Sequence, residues 1–484
     1  MFYRLKQLGR QSAVYGFFDA VGRLGSLLLV PLYADRLGAA GYGSLELLQI
    51  TYALGVMLVV MGMNSSLTRH YLLAESEEER RRYLAGSFSL VLVVAAAATA
   101  ILWGLSPAIA RLVESDVSWT GAWRTVFLTM FVDALGAMGL ALLRAREQAL
   151  RFSLVNLTRL FTSLLFNLWF LVGLDWGVEG ILRANLLGSV AALLLLAVQM
   201  GRELRFSLDG AYVGPLVRFG FPLIASGIAT FGMNNANRYL LRILSTTEDV
   251  GVYALAFKVG MVMSLTVTAF TLAWPPALFQ IYKTPHAKET YAKVLTYVLL
   301  VTSALLVGLT SFRREIVDFI SPPEFALAAD VLPWILLGNL LYGVFNIFLT
   351  GPVVLGRTRS IPLVVWLGLL ASVALNLVLI PRAGVMGAAW ATVGGYVVMA
   401  GGMYLFNQKL YPIPFEWRRV ARLAVLVGIL VVINGVLLAE PSLRNLALKI
   451  GVLVAAVPAL YFAGVLDDEE KKRLMGRLRT RLRK

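Results

Sequence analysis

Long apolar stretches separated by short polar connections dominate this 484-residue chain. Because the hydrocarbon core of a bilayer is about 30 Å thick, a helix that crosses it needs about 20 apolar residues. Apolar stretches lie at 12–35, 43–68, 84–113, 122–143, 152–174, 178–200, 215–243, 251–280, 294–320, 331–355, 361–380, 384–406, 420–438 and 446–465. The pattern therefore predicts an all-α polytopic membrane protein of about fourteen transmembrane helices.

The composition agrees with this prediction and excludes other classes of protein. Hydrophobic residues make up 58% of the chain, charged residues only 15%, and the mean hydropathy is +0.75. A soluble domain carries about 25% charged residues, which cover its surface. A soluble enzyme, a disulfide scaffold and a disordered chain are therefore excluded. There is no cysteine, and His70 and His286 lie outside the apolar stretches, so we expect no metal and no other cofactor.

The basic residues predict the orientation of the chain. The net charge is +16, and most of the 44 lysines and arginines fall in alternate connections and in the tail after Asp467–Glu470. Because positive residues collect on the cytoplasmic side, both termini should be cytoplasmic. The charge thus indicates contact with membrane lipids, through a basic tail on the inner leaflet, and no nucleic acid.

The sequence contains an internal repeat. Gly177-Val178-Glu179-Gly180 returns as Gly384-Val385-Met386-Gly387 at an offset of 207, and Tyr42-Gly43 resembles Val250-Gly251 at an offset of 208. Six spans fit within this offset, so the two copies should have the same orientation, with a central site between them. The predicted domains are an N-lobe at 1–205 (six spans), a C-lobe at 206–410 (six spans), an appended helix pair at 411–466 and a basic tail at 467–484.

Ionisable and amide side chains inside the spans are the candidate functional residues. A charged residue at a helix centre costs about 2.5–3.5 kcal/mol on insertion, so such residues usually face a polar cavity. Six stand out, namely Asp19, Arg23, Asp133, Arg159, Arg238 and Lys258, and Asn234, Asn235 and Asn237 add polar groups beside Arg238. Cations outnumber acids, so the cavity should bind an anion. Guanidinium groups suit phosphate oxygens in particular.

Each candidate also has a structural interpretation. Asp19 and Arg23 lie four residues apart and could neutralise each other. Arg238 and its neighbouring amides could hydrogen-bond to adjacent helices, while Arg159 and Lys258 could extend to the membrane surface.

Three further residues have alternative roles. Asp133, an intramembrane acid without a local partner, could bind a coupling ion or form a salt bridge to a cavity cation. Glu46 and Gln49, at the outer end of the second span, could contact sugar hydroxyls or form a solvated helix end.

The order of several short motifs resembles the Wzx-type polysaccharide flippases of the multidrug/oligosaccharidyl-lipid/polysaccharide exporter superfamily. The motifs are YGSLELLQ (42–49), NSSLTRHY (64–71), RFGFPLIASG (218–227), NRYLL (237–241), VGVYALAFK (250–258), ILLGNLLYGVFN (335–346) and GRTRSIP (356–362). The resemblance covers nearly the whole chain. This family often has Asp-Arg where this chain has Asn237-Arg238.

The resemblance implies transport of an undecaprenyl-pyrophosphate-linked oligosaccharide from the inner to the outer leaflet of the bacterial inner membrane. It implies alternating access of two lobes around a central cationic cavity, in which we expect Arg23, Arg159, Arg238 and Lys258 to hold the pyrophosphate. H+ or Na+ are the expected coupling ions, and a polysaccharide polymerase of an O-antigen type pathway is an expected partner. No enzymatic activity is expected. The alternatives are a cation-coupled multidrug exporter of the same superfamily and a polytopic glycan ligase or polymerase.

Overall fold

The computed structural model of the chain describes residues 27–200, 206–437 and 442–462, together with Gly22, Gly25 and Gly464. The elements in this part of the chain are helical, which confirms the all-α polytopic fold class. The α-helices are α1 (Val30–Val60), α2 (Met63–Leu73), α3 (Glu77–Val113), α4 (Thr120–Ala145), α5 (Ala149–Asn167), α6 (Gly177–Met200), α7 (Gly210–Leu244), α8 (Thr247–Tyr282), α9 (Ala287–Ser311), α10 (Arg313–Ile320), α11 (Ala328–Phe348), α12 (Thr350–Val354), α13 (Ser360–Leu410), α14 (Trp417–Val432) and α15 (Leu443–Phe462). Short 3₁₀ turns (Val117–Trp119, Pro323–Phe325) and π-helical turns (Leu168–Gly173, Ile433–Leu437) adjoin them.

Ten helical segments within the described ranges are long and apolar enough to cross a membrane. One of them, the 51-residue α13, contains the two predicted spans 361–380 and 384–406, and its helical dihedrals are interrupted at Gly384. Predicted span 12–35 lies largely outside the described residues, and the last two predicted spans correspond to α14 and α15. The total of fourteen spans therefore stays a prediction.

The chain divides into two compact units, Met1–Gly251 and Val252–Lys484. In the first, α4 packs against α1, α3 and α6, α5 packs against α6, and α7 packs against α2 and α3. In the second, α11 packs against α9 and α13, and α14 packs against α9. Helix α7, which the sequence analysis assigned to the C-lobe, thus packs with helices of the first unit. The division of the chain into two lobes of six spans each depends on the membrane topology and stays a prediction.

Large apolar side chains lie both inside the helical packing and on its surface. Trp123 and Leu48 are fully buried, whereas Leu112, Val198 and Phe319 are more than four-fifths exposed. In water such exposed side chains would be unfavourable, but lipid tails are as apolar as leucine. The distribution is therefore that of a protein whose outer surface meets hydrocarbon.

The last described helix, α15, is joined to α10 of the same unit by an ion pair. The Lys449 side chain of α15 is only 1% exposed, and its Nζ donates to Oε1 of Glu315 on α10 at 2.5 Å. A buried ammonium group is unfavourable unless it is paired and hydrogen-bonded. The Glu315 carboxylate therefore makes the buried position of the Lys449 ammonium acceptable.

The first glycine of the repeated motif has a positive φ in both copies. Gly177 and Gly384 have φ angles of +55° and +50°, which residues with a side chain rarely adopt. Three residues later, a Cβ on Gly180 would lie 3.1 Å from Cβ of Phe170, and one on Gly387 would lie 2.3 Å from the Leu379 carbonyl oxygen. In each copy the motif lets the chain turn and then brings the new helix close to the preceding segment.

Substitution of Gly384 tests this conclusion. We expect Gly384→Ala to lower the free energy of unfolding by about 1–3 kcal/mol, because alanine is strained at this φ and ψ. Gly401→Ala in the same helix should instead raise it by roughly 0.5–1 kcal/mol, since a Cβ there meets no atom within 4 Å. Thermal unfolding in detergent measures both variants. Equal shifts in Tm would contradict the assigned role of Gly384.

Candidate functional site

Three polar side chains from three helices of the first unit meet inside the helical packing. Nη2 of Arg159 (α5) lies 2.7 Å from Oδ2 of Asp133 (α4) and donates to the hydroxyl of Tyr52 (α1) at 3.1 Å. The Tyr52 hydroxyl in turn donates to Oδ2 of Asp133. We call Tyr52, Asp133 and Arg159 the triad.

The triad unites two residues that the sequence analysis singled out separately. Asp133 and Arg159 form the salt bridge that was one of the two interpretations of the acid. Tyr52 was missed, although a tyrosine within an apolar span carries a hydroxyl that needs a partner when buried. Only the packing of α1 against α4 shows which partner it has.

Only one nitrogen of the Arg159 guanidinium forms the hydrogen bonds of the triad. The Arg159 side chain is 37% exposed, whereas that of Asp133 is 11% exposed. Both described hydrogen bonds of the guanidinium come from Nη2, so Nε and Nη1 can still donate to a ligand. Two adjacent N–H groups of this kind fit two oxygens of a phosphate or carboxylate.

A second intramembrane arginine is enclosed by protein. Arg238 on α7 is 1% exposed, and its Nε lies 3.0 Å from Oε1 of Glu46 on α1. Its Nη1 donates to the Asn234 carbonyl oxygen at 2.8 Å and to Oδ1 of Asn235 at 3.0 Å. Glu46 is thus a counterion of Arg238 in this conformation, and the charge excess predicted for this region is locally neutralised.

The side chains of Asn234 and Asn235 on α7 form hydrogen bonds to backbone carbonyl groups of the same helix. Nδ2 of Asn234 donates to the Thr230 carbonyl oxygen at 2.8 Å, and Nδ2 of Asn235 donates to that of Phe231 at 2.9 Å. Asn237 is buried, with 3% of its surface exposed. Their hydrogen bonds stabilise the polar segment around Arg238.

The remaining predicted site residues lie elsewhere. Lys258 lies half-buried on α8, in the second unit, and forms no ion pair or hydrogen bond with any described residue. Gln49 is half-buried on α1. Asp19 and Arg23 lie outside the described residues, so their roles stay predictions.

A partly buried carboxyl group follows the end of α3. Oε2 of Glu114 accepts a hydrogen bond of 2.8 Å from Oγ of Ser44. Burial raises the pKa of Glu114 above its ordinary value, while the Ser44 hydrogen bond and the charge of Arg242 oppose the rise. The folded protein therefore holds a proton on Glu114 more tightly than the unfolded chain does.

This raised pKa predicts a pH-dependent contribution to stability. The contribution of Glu114 is greatest below its ordinary pKa of 4.5 and is lost as the pH rises through the higher pKa of the folded state. We expect Glu114→Gln to raise Tm at neutral pH, and the difference from the parent protein to vanish below about pH 4.5. Thermal unfolding across this pH range measures the effect. A constant difference would contradict the assignment.

An apolar cavity of about 360 Å³ lies among α9, α11 and α14 of the second unit. Leu306, Trp334 and Leu423 are among its lining residues, and nearly all of the lining is apolar. The cavity suits a hydrocarbon chain and not a charged group.

The chain matches a protein family described as "polysaccharide biosynthesis protein" over residues 36–326. It is 23% identical over 357 residues to Lsg locus putative protein 1 of Haemophilus influenzae, covering 73% of this chain and 82% of that protein. It is also 27% identical over 177 residues to an uncharacterised membrane protein of Methanocaldococcus jannaschii, covering 36% and 34% of the two chains.

Solved membrane transporters share the fold. The lipid II flippase MurJ in an inward closed conformation superposes with a TM-score of 0.76 at 14% identity, covering 93% of this chain and 99% of that one. An inward-facing MATE family multidrug transporter of the MOP superfamily superposes with a TM-score of 0.66 at 15% identity, covering 84% and 99%. At these identities the likeness concerns the fold.

Proposed function

Because this chain belongs to the polysaccharide biosynthesis protein family, we propose that it moves an undecaprenyl-pyrophosphate-linked oligosaccharide from the inner to the outer leaflet of a bacterial plasma membrane. Both termini would lie on the cytoplasmic side, and transport would proceed by alternating access. The partly exposed Arg159 side chain carries the proposal, because its hydrogen bonds to Tyr52 and Asp133 both come from Nη2 and leave Nε and Nη1 for a ligand.

In this proposal, Arg159 binds the pyrophosphate of the cargo. A pyrophosphate carries several oxygens in the geometry that a guanidinium fork binds through paired hydrogen bonds. Asp133 neutralises the arginine while no cargo is bound, which lowers the energy of an empty state with an intramembrane charge. Tyr52 holds both groups by hydrogen bonds.

A transport assay with purified protein in liposomes tests the function. The probe is undecaprenyl pyrophosphate bearing a short fluorescent oligosaccharide, and an added lectin reports the sugars that reach the outer leaflet. We expect the protein to move this lipid, and to move the same sugar on a neutral polyprenol much more slowly. Export of an organic cation without movement of the lipid would favour the multidrug alternative instead.

We further propose that Asp133 couples transport to an ion gradient. A proton on Asp133 would cancel its charge and release Arg159 for the pyrophosphate, and a bound Na+ would act in the same way. We therefore expect Asp133→Asn to transport cargo at a rate that no longer depends on the gradient. Ionophores added to the liposomes provide the measurement, and a parent-like response of the variant would remove Asp133 from coupling.

A further inference from the structure

The apolar cavity of the second unit has the length of one membrane leaflet. Its lining on α14 runs from Val420 to Val431, which is roughly 16 Å along the helix. The hydrocarbon core of a bilayer is about 30 Å thick, so one leaflet supplies about half of that length. The cavity therefore matches a single acyl chain and not a chain that crosses the bilayer.

One end of the cavity is closed by polar groups that satisfy each other. Thr296 lies on α9, one turn before the lining residue Leu299, and its Oγ1 donates to Oε2 of Glu416 at 2.7 Å. Nη1 of Arg419 donates to the two carboxylate oxygens of Glu416 at 2.9 and 3.0 Å. The carboxylate is thus paired within the protein, and no ligand is needed at this end.

The opposite end of the cavity carries buried polar groups without partners. Thr310 follows the lining residue Leu306 by four residues on α9, and Asn434 follows the lining residue Val431 by three. Thr310 is 1% exposed and Asn434 is fully buried. Within the described part of the chain, Oγ1 of Thr310 and both Oδ1 and Nδ2 of Asn434 form no hydrogen bond. Buried polar groups are unfavourable in this state, so a partner is expected.

Arg313 adds a guanidinium group to the same end. A Cβ built on Gly435 would lie 2.6 Å from Nη1 of Arg313 and 3.7 Å from Cγ2 of Thr310, so both side chains lie against the backbone beside Asn434. Nη2 of Arg313 lies 3.4 Å from Oδ1 of the half-exposed Asp330, whereas its Nε has no hydrogen-bond partner among the described residues. We call Thr310, Arg313 and Asn434 the polar end.

From these observations we infer that the cavity binds phosphatidylglycerol, with one acyl chain among α9, α11 and α14 and the headgroup at the polar end. Phosphate oxygens accept hydrogen bonds from Nε of Arg313 and Nδ2 of Asn434, and the guanidinium supplies the complementary charge. A glycerol hydroxyl of the headgroup donates to Oδ1 of Asn434. The predicted orientation assigns the polar end to the outer side, so the lipid belongs to the outer leaflet. It is distinct from the proposed cargo, whose polyprenyl chain is much larger than the cavity.

Titration of the delipidated protein with lipid tests the site. Native mass spectrometry in detergent counts the bound lipids, with phosphatidylglycerol and diacylglycerol of the same acyl chains as probes. We expect phosphatidylglycerol to fill one site and to raise Tm, since a ligand that binds only the folded protein stabilises it. Diacylglycerol lacks the phosphate and should bind about tenfold more weakly or worse. Equal binding of the two lipids would overturn the inference.

Gly428→Phe tests the position of the acyl chain. Gly428 lines the cavity, and a Cβ there meets no atom within 4 Å, so a phenyl ring has room to occupy the space of the chain. We expect this variant to lose the bound lipid. Gly451→Phe on α15 is the matched control, because a Cβ there also meets no atom and Gly451 is not part of the lining. Parent-like lipid binding by folded Gly428→Phe would overturn the inference.

Asn434→Leu gives opposite results for an empty and an occupied polar end. Without a ligand, leucine removes an unpartnered buried amide and should raise Tm. With phosphatidylglycerol present, the variant should lose this advantage, because it binds the lipid about tenfold more weakly. A Tm advantage of the same size with and without the lipid would overturn the headgroup position.

Arg313→Gln should likewise weaken binding of phosphatidylglycerol about tenfold or more. Arg382→Gln is its control, since Arg382 is an exposed arginine that bonds only the carbonyl oxygen of Val378 and should leave binding unchanged. Equal binding by the two variants would contradict the role of Arg313.

Competition with the undecaprenyl-pyrophosphate-linked oligosaccharide separates the lipid site from the cargo site. We expect an equimolar amount of the oligosaccharide lipid to leave phosphatidylglycerol bound. Its displacement would assign the cavity to the cargo tail and overturn the inference. None of these measurements requires transport, so a failure of the proposed function in liposomes would leave the phospholipid site standing.

Discussion

Arg159→Ala should lower transport of the pyrophosphate-linked cargo about 10- to 150-fold, because hydrogen bonds to a charged group contribute roughly 1.5–3 kcal/mol and each 1.4 kcal/mol is a factor of ten. Arg159→Lys should retain an intermediate rate, since an ammonium keeps the charge but loses the paired geometry of the guanidinium. Initial rates in the liposome assay measure both variants.

The partner of Arg159 makes a folding control necessary. Removal of the arginine leaves Asp133 without its counterion at a largely buried position. The double variant Arg159→Ala/Asp133→Asn removes this unpaired charge, so it should unfold near the temperature of the parent protein and still fail to transport. Arg183→Ala removes a surface arginine whose pair with Glu179 is nearly half exposed and should change neither property. Transport by the double variant at the rate of Arg183→Ala would refute the role of Arg159.

Arg238→Ala should destabilise the protein by about 3–5 kcal/mol, because it leaves Glu46 buried without a counterion. The sequence analysis treated Arg238 as a candidate cargo-binding residue, and its 1% exposure adds a structural role. Unfolding by heat or denaturant in detergent provides the measurement.

Replacement of both Arg238 and Glu46 distinguishes a structural role of Arg238 from a role in cargo binding. Buried ion pairs can often be replaced by apolar residues of similar volume at little cost. Arg238→Met/Glu46→Leu should therefore recover most of the lost stability, and we expect it to regain transport. A folded double variant without transport would instead indicate that Arg238 binds the pyrophosphate, as its residue type first suggested.

The spans could be predicted because a membrane imposes a simple length requirement on apolar segments. The breaks within them could not. Predicted span 43–68 is interrupted after α1, where Met61 and Gly62 have φ angles of +51° and +67° before α2 begins. A positive φ at methionine has no sequence signature. Predicted span 294–320 likewise ends early, at Ser311, and continues as the short α10.

The candidate site was predictable in its residue types and unpredictable in its pairings. The cost of intramembrane charge identified Asp133, Arg159 and Arg238 directly from the sequence. The partners of these residues depend on which helices face each other. The periodicity within a single helix does not contain that information. Glu46 illustrates the difference, because a polar residue near a predicted span end seemed solvated and is in fact buried against Arg238.

The buried pair of Lys449 and Glu315 has a consequence for biogenesis. A lysine within the apolar helix α15 costs about 2.5–3.5 kcal/mol when that helix enters lipid alone. Glu315 precedes it by more than a hundred residues and is therefore synthesised first. When α15 leaves the translocon, Glu315 is thus already available to pair with Lys449. The direction of synthesis therefore favours correct assembly of the C-terminal helices.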